Sequence, residues 1–391
     1  MTSWLLALAL AFPASQNDTI ELVETAPVET TLGSDAIPEA HEVWLDMING
    51  AKTSLDFAHF YASDVAPSRL TPVLRAVEAA AKRGVRVRFL AEKKFHRTYP
   101  EILDHFASLS GIEVLHYDIS GHTGGILHAK YFIADSSDVF LGSQNFDWRA
   151  LEHIQELGVR VRSKELASAL DQVFEMDWKL AGGKVAEAQY DIKFPIELKH
   201  DEASVQATLV CSPKDLLPNA ELWDLPKLIG MIDGAKRSVR IQLLNYKAAF
   251  YDKRYFGELE SALRRAANRK VRVELLLADW SKSRGTIEGL KSLHVLPNIN
   301  IRLTTLPEHS GGFIDFARVC HSKYMVVDGK AAWIGTSNWS GDYFYQSRNV
   351  GLIIEGASFG KVLDDYFVRG WTSEYAYDVD PCKEYTPPRR Q

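Results

Sequence analysis

The chain has 391 residues, 46% hydrophobic and 25% charged, with 25 glycines and 15 prolines. At about 150 residues per domain that suggests two or three units, and the composition excludes collagen-like, coiled-coil and wholly disordered chains. A net charge of -6 removes a globally basic surface as an argument for nucleic acid and leaves only a local basic groove open.

Taking the chain in order, Trp4 to Phe12 form a short apolar run ahead of Pro13, Ala14 and Ser15. Residues 1–15 therefore read as a signal peptide, and the protein as exported (secreted, periplasmic or lumenal), although no Lys or Arg precedes the run. The run is too short to span a bilayer, which takes about 20 residues, and no second long apolar run follows. Asn17-Asp18-Thr19 would be a glycosylation sequon in a eukaryotic host. A first half over 16–185 alternates strand Leu55 to Ala62, helix Leu70 to Lys82, strand Val85 to Ala91, helix Glu101 to Ser108 and strand Ile112 to Tyr117. Gly182 to Ala203 reads as a connector. A second half over 200–380 repeats the order with strand Val239 to Tyr246, helix Phe256 to Ala267, strand Val271 to Ala278, helix Ile287 to Leu293 and strand Ile299 to Thr304, before a tail over 381–391. The βαβ order predicts an α/β fold, each half a mainly parallel sheet flanked by helices.

The two halves are copies. Ile48-Asn49-Gly50-Ala51-Lys52 returns as Ile232-Asp233-Gly234-Ala235-Lys236, and His122-Thr123-Gly124-Gly125 returns as His309-Ser310-Gly311-Gly312. The offset grows from 184 to 187 and reaches 193 at His128 and His321, which puts a six-residue insertion within Phe313 to Cys320. Two related halves in one chain are expected to pack about a pseudo-two-fold axis, as homodimers do.

Each copy carries the same chemistry. His128 and Lys130, then Asp135, then Ser143 and Asn145 are matched by His321 and Lys323, Asp328, Thr336 and Asn338. Residues i and i+2 of a strand project from one face about 7 Å apart, so each half offers an imidazole and an ammonium side by side. A glycine just before each Asn permits close approach. Two imidazoles, two ammonium groups and two amides around one cavity suit a phosphodiester: one His attacks phosphorus, the other protonates the departing oxygen, and the cations and amides hold the non-bridging oxygens. A protonated Lys is no metal ligand, so neither a metal nor a cofactor is expected.

The paired HxKxxxxD and GSxN patterns resemble those of the phospholipase D superfamily, with LGSQNFDWRAL and HSKYMVVDG nearest to its lysosomal, bacterial and poxviral members. The likeness covers nearly the whole chain after residue 15. It implies a two-step, metal-independent phosphodiesterase working through a phosphohistidine, and in the lysosomal members 5′ exonuclease action on single-stranded DNA or RNA with some lipid transfer. Carried over, His128 and His321 are nucleophile and general acid/base, with a tendency for the first half to attack. Lys130, Lys323, Asn145 and Asn338 bind phosphate, while Asp135 and Asp328 are structural. Glu156 fits the acidic partner of a catalytic imidazole. The equivalent position in the second half is Asn349, uncharged, so whichever histidine it faces loses the charge that would stabilise an imidazolium; Thr336 keeps the hydroxyl of Ser143.

Other residues have plainer readings. Cys211 and Cys320 sit in apolar runs as buried hydrophobes, and with Cys382 they lack metal or redox spacing. His122 and His309 are candidates for the cavity mouth, Trp148 and Trp339 for base stacking or for packing, and Arg264, Arg265 and Arg269 for a solvated helix face. Three functions compete: a nuclease acting on a single-stranded nucleic acid end, a phospholipase or transphosphatidylase acting on a phospholipid head group, and a non-catalytic phosphate binder. The same chemistry would serve a monomer or a homodimer.

Overall fold

A computed structural model describes residues 18–185 and 192–391, so the signal reading of residues 1–15 lies outside the described residues. The first half contributes β1 (Thr19–Thr25), β2 (Ser54–His59), β3 (Ala62–Ser63), β4 (Arg86–Glu92), β5 (Ile112–Tyr117), β6 (Lys130–Ala134), β7 (Asp138–Gly142), β8 (Phe146–Asp147) and β9 (Glu156–Arg162). The connector holds β10 (Ile196–His200). The second half contributes β11 (Ala203–Ser212), β12 (Ser238–Leu243), β13 (Arg272–Ala278), β14 (Ile299–Thr304), β15 (Tyr324–Val327), β16 (Ala331–Gly335), β17 (Asn349–Glu355) and β18 (Ala376–Asp378).

Helices form where apolar residues recur at helical spacing. Leu70–Lys82 buries Leu70, Val73, Ala76, Val77, Ala80 and Ala81 on one stripe, and Gly84 at φ +90 turns the chain out of it. Among the described residues, sixteen strands join in one mixed sheet, running β18, β14, β13, β12, β15, β16, β17, β11, β10, β1, β9, β7, β6, β2, β4, β5. The order is nearly palindromic about β10, with β5-β4-β2-β6-β7-β9-β1 on one side answering β14-β13-β12-β15-β16-β17-β11 on the other. Helical crossovers join the parallel runs β2-β4-β5 and β12-β13-β14, and β10 also lies parallel to β1. The strands that carry the motifs run antiparallel, because β6-β7 and β15-β16 are joined by tight turns that no parallel pair could use.

Each half keeps a core of its own, around Trp44, Phe57 and Phe89 in the first and around Leu259, Trp333 and Trp339 in the second. A third core is shared, joining Tyr131, Val159 and Phe174 to Tyr324, Leu352 and Phe367. The halves also meet through two reciprocal backbone bridges. Leu127 pairs with Arg348, and Gln155 pairs with Cys320. Positions 127 and 320, and 155 and 348, are each 193 apart, so this is an isologous contact of the kind a two-fold axis generates. Next to one bridge, the fully buried Arg348 forms a bidentate pair with Asp177 of the first half at 2.8 Å through each nitrogen and donates to the Ser212 and Leu216 carbonyls. Removing either charge would strand the other at a cost of about 3–5 kcal/mol.

Candidate active site

The bridges put the motifs face to face. The amide of His128 donates to the Arg348 carbonyl at 2.9 Å, and the amide of His321 donates to the Gln155 carbonyl at 2.8 Å. Each histidine therefore enters its strand against the other half and finds its side-chain partner there. His128 Nδ1 lies 3.0 Å from Asn349 Oδ1, while His321 Nδ1 lies 2.8 and 2.9 Å from the two oxygens of Glu156. Glu156 and Asn349 open the equivalent strands β9 and β17 and are held alike. Ser143 donates to Glu156 at 2.5 Å and accepts from the Leu157 amide, and Thr336 donates to Asn349 at 2.9 Å and accepts from the Val350 amide.

The Asn349 amide is oriented by its other end. Nδ2 donates to the carbonyls of Tyr343 and Ser347, so Oδ1 is the atom that meets His128. His128 must then carry its proton on Nδ1, which leaves the Nε2 lone pair free. Burial pushes both imidazoles well below their ordinary value, with Lys130 and Lys323 adding to the effect. The dyads differ in what else can hold a proton. Burial raises Glu156 to about 8 against the pull of Lys323 and Lys130, so the Glu156–His321 pair retains a proton for which Asn349–His128 has no place.

Both lysines are fully buried. The Nζ of each turns back to the carbonyl of its own motif histidine, Lys130 to His128 at 2.9 Å and Lys323 to His321. Burial lowers both, Lys323 to about 7, and the two cations oppose each other. Asn145 and Asn338 are buried at the cleft and each leaves Oδ1 without a partner, while Asn338 Nδ2 donates to the Tyr343 hydroxyl. Asp135 and Asp328 lie at the far ends of their strands. Asp135 accepts from the amides of Lys52, Thr53 and Ser54, and Asp328 from those of Lys236, Arg237 and Ser238, each tying the end of the motif strand to the start of its antiparallel neighbour, β2 or β12.

A cleft of about 290 Å3 opens above the two histidines, lined by His128, His321, Asn145 and Asn338 together with side chains that no sequence motif marks. Phe60, Tyr61, Phe95 and Tyr99 form one wall, with Tyr61 and Tyr99 stacked at 4.7 Å, and Trp280 and Phe316 stand in the same lining. Tyr343 sets its ring edge against His128 at 5.0 Å. Arg149 joins the lining while pairing with Asp147.

The remaining candidates fall elsewhere. Trp339 is fully buried against Tyr246 and Trp333, and Trp148 packs edge-on to His153, so both pack beneath the loops. His309 pairs with Glu29 and His122 lies beside Tyr117, neither in the cleft lining. Arg264 and Arg265 bond Glu260 and Asp233 on the helix face, while Arg269 donates to the Ile232 carbonyl. Cys211 and Cys320 are buried, Cys382 is exposed, and all three are free. No helix of the described residues is long and apolar enough to cross a membrane.

Comparison with known proteins finds the same two halves. The family described as "Cardiolipin synthase, PLD-like domain" matches residues 44–178 and 228–371, one stretch in each half. The chain is 31% identical to "5'-3' exonuclease PLD3" of Bos taurus, covering 93% of this chain and 81% of that protein. It is also 31% identical to the "Virion nicking-joining enzyme" of Vaccinia virus (strain Western Reserve), covering 87% of this chain and 86% of the other. Among solved structures, phosphatidylserine synthase of Haemophilus influenzae Rd KW20 superposes with a TM-score of 0.62 at 11% identity, over 92% of this chain and 87% of that one, a likeness of fold alone.

Proposed function

Since the chain belongs to the phospholipase D superfamily and is a phosphodiesterase, we propose that it hydrolyses single-stranded nucleic acid from an end through a phosphohistidine on His128. The observation that carries the chemistry is the unequal pairing of the two histidines. His128, with Nδ1–H donated to a neutral amide, presents Nε2 as a lone pair, and His321, backed by Glu156, holds the proton that a departing oxygen needs.

In the first step His128 Nε2 bonds to phosphorus, the P–O bond to the leaving strand breaks, and that oxygen takes the proton of His321 Nε2. In the second, a water gives its proton to His321 and attacks phosphorus, the P–N bond breaks, and His128 regains its lone pair. Lys130, Lys323 and the Nδ2 donors of Asn145 and Asn338 would hold the non-bridging oxygens, which carry more negative charge in the transition state. The substrate phosphate would in turn keep both lysines charged.

The substrate reading rests on the cleft and on the relatives. Its stacked aromatic wall suits the π-faces of bases, each stack worth about 1–3 kcal/mol, and one of the two named relatives of high coverage is an exonuclease by its name. The exported location read from residues 1–15 belongs to the same proposal, and the N-terminal sequence of the mature protein tests it. For the activity, purified protein in EDTA is given end-labelled single-stranded oligonucleotides and, separately, phosphatidylcholine with a primary alcohol. Stepwise release of nucleotides is expected; head-group release or exchange with intact oligonucleotide would overturn the nucleic-acid reading.

A further inference from the structure

We propose that His96, Asp104 and His116 form a binding site for one divalent transition-metal ion of the zinc class, outside the cleft and with no part in the chemical steps. His96 ends the short helix Lys93–His96, Asp104 lies on the helix Glu101–Ser108, and His116 lies on β5. One ligand atom from each lies within 4.8 Å of the other two. His96 Nε2 is 2.7 Å from Asp104 Oδ1, and the His96 and His116 rings sit 3.9 Å apart, tilted by 32°.

An ion pair between His96 and Asp104 would account for two of the three groups but not the third. His116 brings a second imidazole against the first, and its Nδ1 is buried with no hydrogen-bond partner. A shared cation gives all three groups one partner. Zinc with ligand bonds of about 2.0–2.1 Å holds its donors about 3.3 Å apart, so side-chain rotation of roughly 1 Å would close the site. Two imidazoles and a carboxylate favour Zn2+, Co2+, Ni2+ or Cu2+ over Mg2+ or Ca2+, which prefer oxygen alone. The Asp104 side chain is 61% exposed, so an ion has a path from solvent and room for water on its open side.

The site has a mechanical link to the cleft. Phe95, next to His96, packs on Phe60 at 4.2 Å, and Tyr99, between His96 and Asp104, stacks on Tyr61. An ion bridging the two helices and β5 would fix the segment that carries this aromatic wall.

The test uses the full, untagged chain titrated with ZnCl2 by calorimetry. One ion per chain is expected with micromolar or tighter affinity. His96→Ala and His116→Ala should each weaken it at least about 100-fold, more than the loss of an outer-shell partner typically brings, and Asp104→Asn about 10-fold. A double variant lacking both cleft imidazoles, His128→Ala with His321→Ala, should bind as the parent does, which separates this site from zinc held in the cleft. Circular dichroism and melting curves establish that each variant is folded, and His96→Gln and His116→Gln replace any that is not. Absence of stoichiometric binding to the parent, or unchanged binding in the folded His96 and His116 variants, would overturn the proposal.

Discussion

His128 and His321 occupy the same place in two copies of one motif, on equivalent strands, with a lysine two residues on and a hydroxyl-held partner across the interface. They differ in one side chain, an amide opposite the first and a carboxylate opposite the second. Burial alone would leave both imidazoles neutral and equivalent. The carboxylate breaks that equivalence because it can carry a proton in a site where a bare anion is costly to bury. In the proposed mechanism, this divergence within a duplicated scaffold separates nucleophile from acid while both copies keep their backbone geometry.

The comparison can be broken most directly at the histidines. His128→Ala and His321→Ala should each lower turnover at least about 10³-fold on the true substrate, and phosphate trapped by acid quench should map to the peptide holding His128. Label on His321 would reverse the assignment. Erasing the difference should cost less: Glu156→Gln gives both halves an amide, and turnover should fall about 100-fold. The pH profile identifies the cause. Because Glu156 is raised to about 8, the second dyad loses its proton as pH rises through that value, so the parent rate should decline on the alkaline side and the variant should lack that limb. Asn349→Asp, the opposite change, should raise the proton affinity of His128 and move the acid-side limb to higher pH; an unmoved limb would count against the proposed role of His128.

Stability separates the lysine and aspartate of the motif. Asp135→Ala removes a carboxylate that accepts three backbone amides, and a loss of about 2–3 kcal/mol in urea unfolding is expected. Burial works to raise the pKa of Asp135, but those amides outweigh it and the net shift is downward. Its contribution is therefore present above the ordinary carboxylate range and lost as pH falls through the depressed value. The buried lysines act in the same pH direction but over a higher interval, and as a cost to the fold. Lys323 is lowered to about 7 from an unfolded value near 10.4, so the fold loses stability as pH falls across that interval. Lys323→Met should abolish turnover yet raise the melting temperature at pH 7 by about 2–4 °C, and a lower melting temperature would mean that the buried charge is already well compensated.

The sequence carried the scaffold well because its signals were periodic or repeated. The helices Leu70–Lys82 and Glu101–Ser108 begin and end where apolar spacing and turn residues put them. The motif residues were marked twice, 193 positions apart, and the structure gathers both sets at one interface. Which histidine meets Glu156 was not legible, since a repeat establishes equivalence between copies and says nothing of pairing across an axis. The aromatic wall was hidden for a different reason. Phe60, Tyr61, Phe95, Tyr99, Trp280, Phe316 and Tyr343 sit singly or in pairs near the ends of separate elements, where no period distinguishes a lining side chain from a core one. The antiparallel course of β6 and β7 follows from a short turn that weighs little beside the βαβ pattern when read by eye.

The reciprocal bridges impose a rule of length. His128 and Glu156 are 28 positions apart, and so are His321 and Asn349. Upstream of the histidines the copies differ by insertion, and the additional residues are absorbed by a surface loop. Within the strands of that span nothing can be absorbed: a slip of one residue, about 3.3 Å along a strand, would turn each partner to the opposite face and detach both imidazoles together. The strands of the span therefore behave as a cassette of fixed register, free to exchange a carboxylate for an amide but not to slip by a single position.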